Sequence, residues 1–205
     1  MAYTYDIFIS YRRDPETWRW IKRHFEPLLK LRVGLELEDE PQIFIDQTGV
    51  ESGTSWPTEL GRSLAGSKIL VALFTKSYFA SRWCTTELSI MLSREKETAR
   101  RTLKNPHGLV VPAILHDGKD FPQSVKHIQP IEIQNCFNVR MSQDSPRVEE
   151  LDQIMGREAS AIAKAIKYAP KWKSAWQKSG SSSFSSTYLL GKAITQDRLP
   201  GFSAE

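Results

Sequence analysis

The chain has 205 residues, enough for one domain that buries roughly 70% of its unfolded surface without disulfides or metals. Its residues are 40% hydrophobic and 25% charged, as in an ordinary globular protein. No window approaches the ~18 apolar residues of a membrane span, and a strand pattern starts without a leader, so we expect a soluble, cytoplasmic protein. The net charge of +4 suits anionic small molecules or a merely solvated basic surface better than dedicated nucleic-acid binding.

The cysteines and histidines exclude two classes of site. Cys84 and Cys136 lie far apart, which argues against a disulfide scaffold and against a zinc site. We expect each thiol to pack as a small buried hydrophobe. The four histidines show no metal-ligand spacing, so no metal site is predicted.

Strands and helices alternate from the N-terminus. The apolar run at residues 5–10 predicts a strand covered on both faces. Pro15 suits the first turn of the helix that follows, and apolar side chains then recur at helical spacing. A second strand at residues 42–45 closes on Asp46, and the Gly-, Ser- and Thr-containing stretch 47–55 predicts an irregular loop.

The alternation continues in the second half of the chain. The predicted elements are a helix from Trp56, a strand at 69–74, a helix through 83–87, a strand at 109–115, a short strand at 137–139 and a helix at 148–166. Pro112 lacks a backbone N–H, which favours a sheet edge or a strand end. We divide the chain into a domain at residues 1–170 and a Ser-rich linker and C-terminal tail at residues 171–205.

Five strands alternating with helices predict an α/β fold with a parallel sheet and helices on both faces. Right-handed crossovers leave few topologies, and we choose the flavodoxin-like order 2-1-3-4-5. This order brings the loops after the first three strands to one crevice. Residues 11–13, 46–55 and 83–87 are then neighbours.

Trp83 and Glu87 carry the most specific signal in the chain. Residues four apart share a helix face, so one ring and one carboxylate point into the same space. Two structural alternatives stay open: Glu87 as a residue that only favours the N-terminal turn of its helix, and Trp83 as a residue of the hydrophobic core. Asp46 could equally shape a turn.

Three motifs then resemble a known family. Residues 5–13 resemble the first box of Toll/interleukin-1 receptor (TIR) domains. Residues 44–53 resemble the strand and the variable loop that follows it, often called the BB loop. Residues 83–88 resemble the tryptophan-to-glutamate motif of the enzymatic, bacterial-type branch. The motifs occur in the right order, and the resemblance covers roughly residues 4–168.

The resemblance implies an NAD+ glycohydrolase that releases nicotinamide and forms ADP-ribose or a cyclic ADP-ribose isomer. NAD+ is then a substrate, and no cofactor is implied. Glu87 is the expected catalytic residue, and the expected substrate-binding residues are Ser10, Tyr11, Arg12, Arg13, Asp46 and Trp83. The resemblance also implies self-association with other TIR domains. We expect anti-phage immune signalling, a separate sensor or effector partner, and no membrane or nucleic-acid partner.

The chemistry of the bond explains why one carboxylate can suffice. Glycosidases commonly use two, because one must protonate the leaving oxygen. Nicotinamide leaves NAD+ from a cationic pyridinium and departs neutral, so Glu87 needs only to stabilise the developing positive charge. Arg12 and Arg13 suit the pyrophosphate of NAD+. The alternatives that stay open are a solvated surface position for both residues and an ion pair of Arg13 with Asp14 or Glu16.

Two other functions compete with this one. The first is a non-enzymatic adaptor that assembles with other TIR domains; Glu87 counts against it, since adaptor-type members commonly lack that carboxylate. The second is a phospho-acceptor regulator on the same fold. Its third strand would end in an aspartate, whereas here the strand runs into Phe74, Thr75 and Lys76.

Overall fold

The computed structural model describes residues 2–46, 56–116, 121–178, 180 and 182–186. Its centre is a five-stranded sheet in the order β2-β1-β3-β4-β5. All four strand pairs are parallel. The strands are β1 (Tyr5–Tyr11), β2 (Ile43–Ile45), β3 (Ser67–Phe74), β4 (Val110–Ile114) and β5 (Ile131–Glu132). The predicted flavodoxin-like topology is confirmed.

Helices connect the strands and cover the sheet. The first helical stretch consists of α1 (Pro15–Trp20), a π-helical turn (Ile21–Phe25) and α2 (Glu26–Gly34) without interruption. The remaining helices are α3 (Trp56–Ala65), α4 (Lys76–Ala80), α5 (Arg82–Glu97), α6 (Gln123–Lys126) and α7 (Pro146–Lys167). None of the helices in the described part of the chain is long and apolar enough to span a bilayer.

The two central strands are apolar because both faces of the sheet are covered. Ile7 pairs with Ile43 of β2 and with Ile69 of β3. Ile7, Phe8 and Ile9 are fully buried, as is expected for a parallel strand beneath two helical layers. α2 packs against α7, whereas α3 and α5 contact β1 and β3. The crossovers from β1 and β3 run in opposite directions, which opens a crevice between the carboxyl ends of these strands.

The position of the fifth strand differs from the prediction. It lies at Ile131–Glu132, and the predicted strand at 137–139 is wrong. A 3-10 turn at Gln134–Cys136 redirects the chain before this point. The ring of Phe137 then packs edge-on against Trp20, with centroids 5.1 Å apart. The half-buried ring of Phe137 therefore packs against the core without belonging to a strand.

The neighbours of β4 explain where Pro112 is tolerated. β4 lies between β3 and β5, so it is not an edge strand. β5 pairs only with Ala113 and Ile114, however, so it stops short of Pro112. Pro112 is in register with Ala72 on the β3 side. The side facing β5 is therefore locally an edge, where a missing N–H costs no ladder hydrogen bond.

The chain after α7 is more ordered than a linker. We call residues 171–186 the C-terminal segment; within it, residues 174–178 and 182–186 are helical. Trp176 and Phe184 are buried, and the indole of Trp172 donates to the Ala65 carbonyl over 3.1 Å. The expectation of a loosely ordered tail is thus wrong for these residues. The rest of the predicted tail and the predicted loop at 47–55 lie outside the described residues.

Candidate active site

A cavity of about 240 Å³ opens at the carboxyl edge of the sheet, between the ends of β1 and β2 and the start of α5. We call it the carboxylate cavity. All of the site residues expected from the sequence line it: Ser10, Tyr11, Arg12, Arg13, Asp46, Trp83 and Glu87. The fold therefore gathers residues from three separate stretches of the chain. Their roles stay predictions.

Hydrogen bonds hold the ends of β1 and β2 together at the mouth of this cavity. The Tyr11 hydroxyl donates to the Asp46 carbonyl over 3.2 Å. Arg13 forms an ion pair with the Asp46 carboxylate, instead of with Asp14 or Glu16 as the sequence allowed. Burial raises the pKa of Tyr11 to about 12, so its phenol is neutral at physiological pH. Arg12, by contrast, is exposed at the rim.

The start of α5 fixes the directions of Trp83 and Glu87. Ser81 caps the helix by accepting a hydrogen bond from the Cys84 N–H over 3.4 Å. Trp83 and Glu87 then lie one turn apart on one face. The first turn of α5 contains no acidic residue, because Glu87 falls in the second turn. A simple interaction with the helix N-terminus therefore does not explain Glu87.

Glu87 is a buried carboxyl group with an unusual pKa. Glu87 is only 5% exposed, and this burial raises the pKa of its carboxyl group from 4.5 to about 7. A hydrogen bond from the Ser10 hydroxyl and the positive charge of Arg13 oppose this rise. Desolvation thus dominates, and Glu87 changes charge near neutral pH.

A second buried carboxylate of α5 shows what a structural role looks like. Glu95 accepts hydrogen bonds from the backbone N–H groups of Leu109 and Val110 over 2.6 and 2.8 Å. It also pairs with Arg101 at 2.9 Å. Glu95 therefore anchors the start of β4 and has no face toward the carboxylate cavity. Glu87 lacks such backbone donors among the described residues and lines a cavity instead, which is the arrangement expected of a reactive group.

A chain of hydroxyls leads away from Glu87. The Ser10 hydroxyl bridges Glu87 and the Tyr78 hydroxyl, which lies 2.9 Å from it. Tyr78 is also 3.2 Å from the Cys84 carbonyl. When Glu87 is ionised, Tyr78 donates to Ser10 and Ser10 donates to the carboxylate. When Glu87 is protonated, the two hydrogen bonds reverse: Glu87 donates to Ser10, and Ser10 donates to Tyr78. Tyr78 then donates to the Cys84 carbonyl. Both protonation states of Glu87 are therefore accommodated.

Sequence reasoning missed Tyr78, Ser81 and Phe184. Thr75 caps α4 through the Tyr78 N–H at 3.0 Å, and this threonine was a usable signal for the short helix that carries Tyr78. Phe184 of the C-terminal segment stacks on Trp83, with centroids 5.9 Å apart and an interplanar angle of 10°. Nothing in the local sequence around Phe184 indicates a partner about a hundred residues away.

Cys84 behaves as a structural thiol. It is buried, and its Sγ donates to the Tyr11 carbonyl over 3.4 Å. Burial and the nearby Glu87 raise the pKa of Cys84 to about 12, so the reactive thiolate is not formed at neutral pH. Within the described ranges, no three His, Cys, Asp or Glu side chains gather where they could hold a metal ion.

The topology and the cavity together define a flavodoxin-like α/β domain with a carboxylate-centred cleft at the carboxyl edge of its sheet. The chain belongs to the TIR domain family, since the model of that family matches residues 7–151. The resemblance to the TIR family is thereby confirmed, and the assignment to its enzymatic, bacterial-type branch stays a prediction.

The individual proteins that the chain resembles are distant from it in sequence. The chain is 28% identical over 86 residues to TMV resistance protein N of Nicotiana glutinosa; this match spans 42% of the chain and only 7% of that protein. The TIR domain of the Toll-related receptor TRR-2 of Hydra magnipapillata is 19% identical, with a TM-score of 0.45 over 63% of this chain and 84% of that one. The TIR domains of the activated Roq1 resistosome, which recognises the pathogen effector XopQ, are 19% identical to the chain. Their TM-score is 0.38, and the match covers 96% of this chain and 100% of that one.

Proposed function

We propose that this TIR domain is an NAD+ glycohydrolase in which Glu87 is the catalytic carboxylate. The observation that carries the proposal is the position of Glu87, buried on a cavity whose mouth holds Arg12 and Arg13. Such a site offers negative charge inside and positive charge at the entrance. NAD+ has the matching polarity, with a cationic nicotinamide riboside and an anionic pyrophosphate.

The reaction breaks the bond between the ribose C1′ and the nicotinamide nitrogen. The bonding electrons leave with nicotinamide, which becomes neutral, and positive charge develops on the ribose. The Glu87 carboxylate stabilises this charge from a buried position, where electrostatic interactions are strong. Attack by water at C1′ then gives ADP-ribose and a proton, whereas attack by a nitrogen of the adenine gives a cyclic ADP-ribose isomer and a proton.

The raised pKa of Glu87 fits a cationic substrate. In the free protein, burial holds the carboxyl half-protonated near pH 7. A pyridinium ring bound close to it favours the ionised form, because an opposite charge lowers the pKa of a carboxyl group. The substrate therefore draws Glu87 into its active state, and the proton is released to solvent through the cavity that Glu87 lines.

Trp83 and the two arginines supply binding. The Trp83 ring lies one helical turn from Glu87 and can cover the cationic ring of nicotinamide. Phe184 stacks on Trp83, which supports its orientation. A guanidinium fork such as that of Arg12 suits phosphate oxygens. Asp46 holds Arg13 in place through their ion pair.

We further propose a role in immune signalling, with self-association between TIR domains. The sequence match to a plant protein named for resistance to TMV supports the first part. Membership of the TIR family supports the second. The bacterial, anti-phage setting and a cytoplasmic location stay predictions from the sequence.

Nicotinamide release tests the proposal. The full chain at high concentration is incubated with NAD+, beside Glu87→Gln and the control Glu97→Gln, which removes an exposed carboxylate from the same helix. Products are identified by chromatography and mass. We expect release by the wild type and by Glu97→Gln, and at least about 100-fold less by Glu87→Gln. Equal turnover by all three proteins overturns the role of Glu87, and no turnover even by concentrated wild type favours the adaptor function.

A further inference from the structure

The loop between α5 and β4 projects a leucine into solvent. We call this loop, residues 98–108, the basic loop, because its charged residues are all arginine or lysine. Leu103 at its tip is fully exposed, more so than any other large hydrophobic side chain in the described part of the chain. Thr102 and Asn105 close a tight turn around the tip through two backbone hydrogen bonds of 3.0 and 3.1 Å. Leu103 therefore stabilises no core within this domain and is available to a partner.

Contacts beneath the tip hold the basic loop in one conformation. Arg101 pairs with Glu95 at 2.9 Å and also donates to the first carbonyl of β4 over 2.9 Å. Gly108 leaves the space that the Arg101 guanidinium occupies, since a side chain there would collide with it. Ala99 and Arg101 have positive φ values of 49° and 57°, a costly conformation that clusters at functional sites. A loop fixed in this way presents Leu103 with little ordering cost on binding.

A groove of about 690 Å³ lies at the same edge of the sheet as the basic loop. The basic loop runs into β4, and residues 37–42 along the groove run into β2. Because the strands are parallel, both features lie where strands begin, which we call the amino edge. We call the groove the acidic groove, because carboxylates stand beside its apolar and aromatic lining. The apolar and aromatic residues are Tyr3, Leu37, Ile166 and Ala169, and the carboxylates are those of Asp6, Glu38, Asp39 and Glu40.

The acidic groove carries negative charge without an internal partner. Its two lysines are already engaged, Lys68 with a carboxylate of β1 at 2.7 Å and Lys167 with a backbone carbonyl at 3.0 Å. Glu38 and Asp39 are exposed and form no ion pair with any described residue. The groove therefore presents negative charge next to apolar surface. A basic loop with a leucine at its tip has the complementary chemistry.

The two features lie side by side, with an exposed tyrosine between them. Tyr168, which follows α7, is 62% exposed and stacks on His107 of the basic loop, with centroids 6.1 Å apart. Its neighbours Ile166 and Ala169 line the acidic groove. The strand order separates β2 from β4 by three strand spacings, roughly 14 Å. A two-fold axis through the middle of this edge therefore brings the basic loop of each copy to the acidic groove of the other.

We propose that two copies of this chain associate through their amino edges, with Leu103 of each copy in the acidic groove of the other and Tyr168 near the two-fold axis. Lys104 then faces Glu38 across the interface. Both halves of the complementary pair belong to one chain, which favours a second copy over an unrelated partner. This inference rests on the self-association proposed above, for which it names the surface, and not on the role of Glu87.

Sedimentation velocity over a concentration series tests this surface. Leu103→Ser removes the apolar anchor, Lys104→Glu reverses the charge beside it, and the control Lys76→Glu reverses an exposed lysine at the carboxyl edge. We expect the wild type to form a dimer below roughly 1 mM, and both loop variants to raise the dimer Kd at least about tenfold. The control should stay within about twofold of the wild type. Thermal unfolding followed by circular dichroism should be the same for all four proteins, because the replaced side chains are exposed.

Exchange of charges identifies the opposing surface. Glu38→Lys should raise the dimer Kd at least about tenfold, since the change occurs twice in a symmetric dimer. Glu38→Lys combined with Lys104→Glu in one chain should bring the Kd back to within about threefold of the wild type, because each contact again joins opposite charges. High salt should weaken the wild-type dimer.

The outcomes separate this inference from the functions proposed above. A wild type that stays monomeric at roughly 1 mM overturns this surface together with the proposed self-association. Equal dimerisation of Leu103→Ser and the wild type, or no recovery in the variant with exchanged charges, overturns the surface alone. None of these measurements depends on nicotinamide release. Glu87→Gln should dimerise as the wild type does, and loss of the dimer in that variant contradicts a contact at the amino edge.

Discussion

Replacing Glu87 with glutamine should change how the stability of the protein depends on pH. The folded state holds this carboxyl at a pKa of about 7, against 4.5 in the unfolded chain. Between these values the folded state binds the proton more tightly, so the wild type loses stability as pH rises from 4.5 to 7. Glutamine has a similar shape, can still accept from Ser10 and does not ionise.

The magnitude follows from linkage. Between pH 5 and pH 8, the pKa difference lowers the free energy of unfolding of the wild type by about 2.5 kcal/mol relative to Glu87→Gln. All other titrating groups are common to both proteins and cancel in the comparison. The free energy of unfolding of Glu87→Gln, relative to that of the wild type, should therefore be higher at pH 8 than at pH 5, although the substitution removes a native hydrogen-bonding group.

Urea unfolding at pH 5 and pH 8 measures this difference. Glu97→Gln is the control: hydrogen bonds from Lys173 and Trp176 lower the pKa of Glu97, so its contribution is complete above 4.5 and its difference from wild type should stay nearly flat over this range. A stability difference between Glu87→Gln and wild type that is equal at the two pH values, within about 0.5 kcal/mol, would refute the dominance of burial over the Ser10 and Arg13 interactions.

Three further outcomes follow from the same contacts. The kcat/KM for NAD+ should rise about tenfold per pH unit below about 7 and level off above it, since ionised Glu87 is the active form; a flat profile between pH 5 and 8 contradicts this. Ser10→Ala should raise the pH at which kcat/KM is half of its plateau value by about one to two pH units, with the high-pH plateau retained. Ser10→Thr should restore the wild-type value. An unchanged value in Ser10→Ala would show that the Ser10 hydroxyl does not lower the pKa of Glu87. Phe184→Ala should lower the free energy of unfolding by about 3 kcal/mol and raise the KM for NAD+, because the ring that supports Trp83 is lost, whereas exposed Ser186→Ala in the same helix should do neither; urea unfolding and steady-state kinetics would decide.

The sheet could be predicted from sequence where local pattern and burial agree. β1 and β3 are continuous apolar runs because helices cover both faces, and such runs signal parallel strands directly. β5 could not be predicted because it consists of only two residues, which are too few to show the alternating pattern of a strand. Phe137 produced the opposite error, because in sequence an apolar residue that packs against the core through its ring resembles a strand residue.

The residues that line the site could be predicted from the sequence, but their burial and their hydrogen bonds could not. The fold order alone brings the loops after β1, β2 and β3 together, so Ser10, Asp46 and Glu87 could be grouped in advance. The pKa of Glu87 could not, because it depends on burial and on a hydroxyl 77 residues away in the chain. Phe184 was hidden for the same reason: its partner Trp83 is defined only by the folded structure.

Release of nicotinamide from NAD+ is the sharpest test of Glu87 as the catalytic carboxylate. We expect concentrated wild-type protein to produce nicotinamide together with ADP-ribose or a cyclic ADP-ribose isomer. Glu97→Gln should do the same, and Glu87→Gln should be slower by at least about 100-fold. Turnover by Glu87→Gln at the wild-type rate would contradict it, because the buried carboxylate of α5 would then have no part in the chemistry.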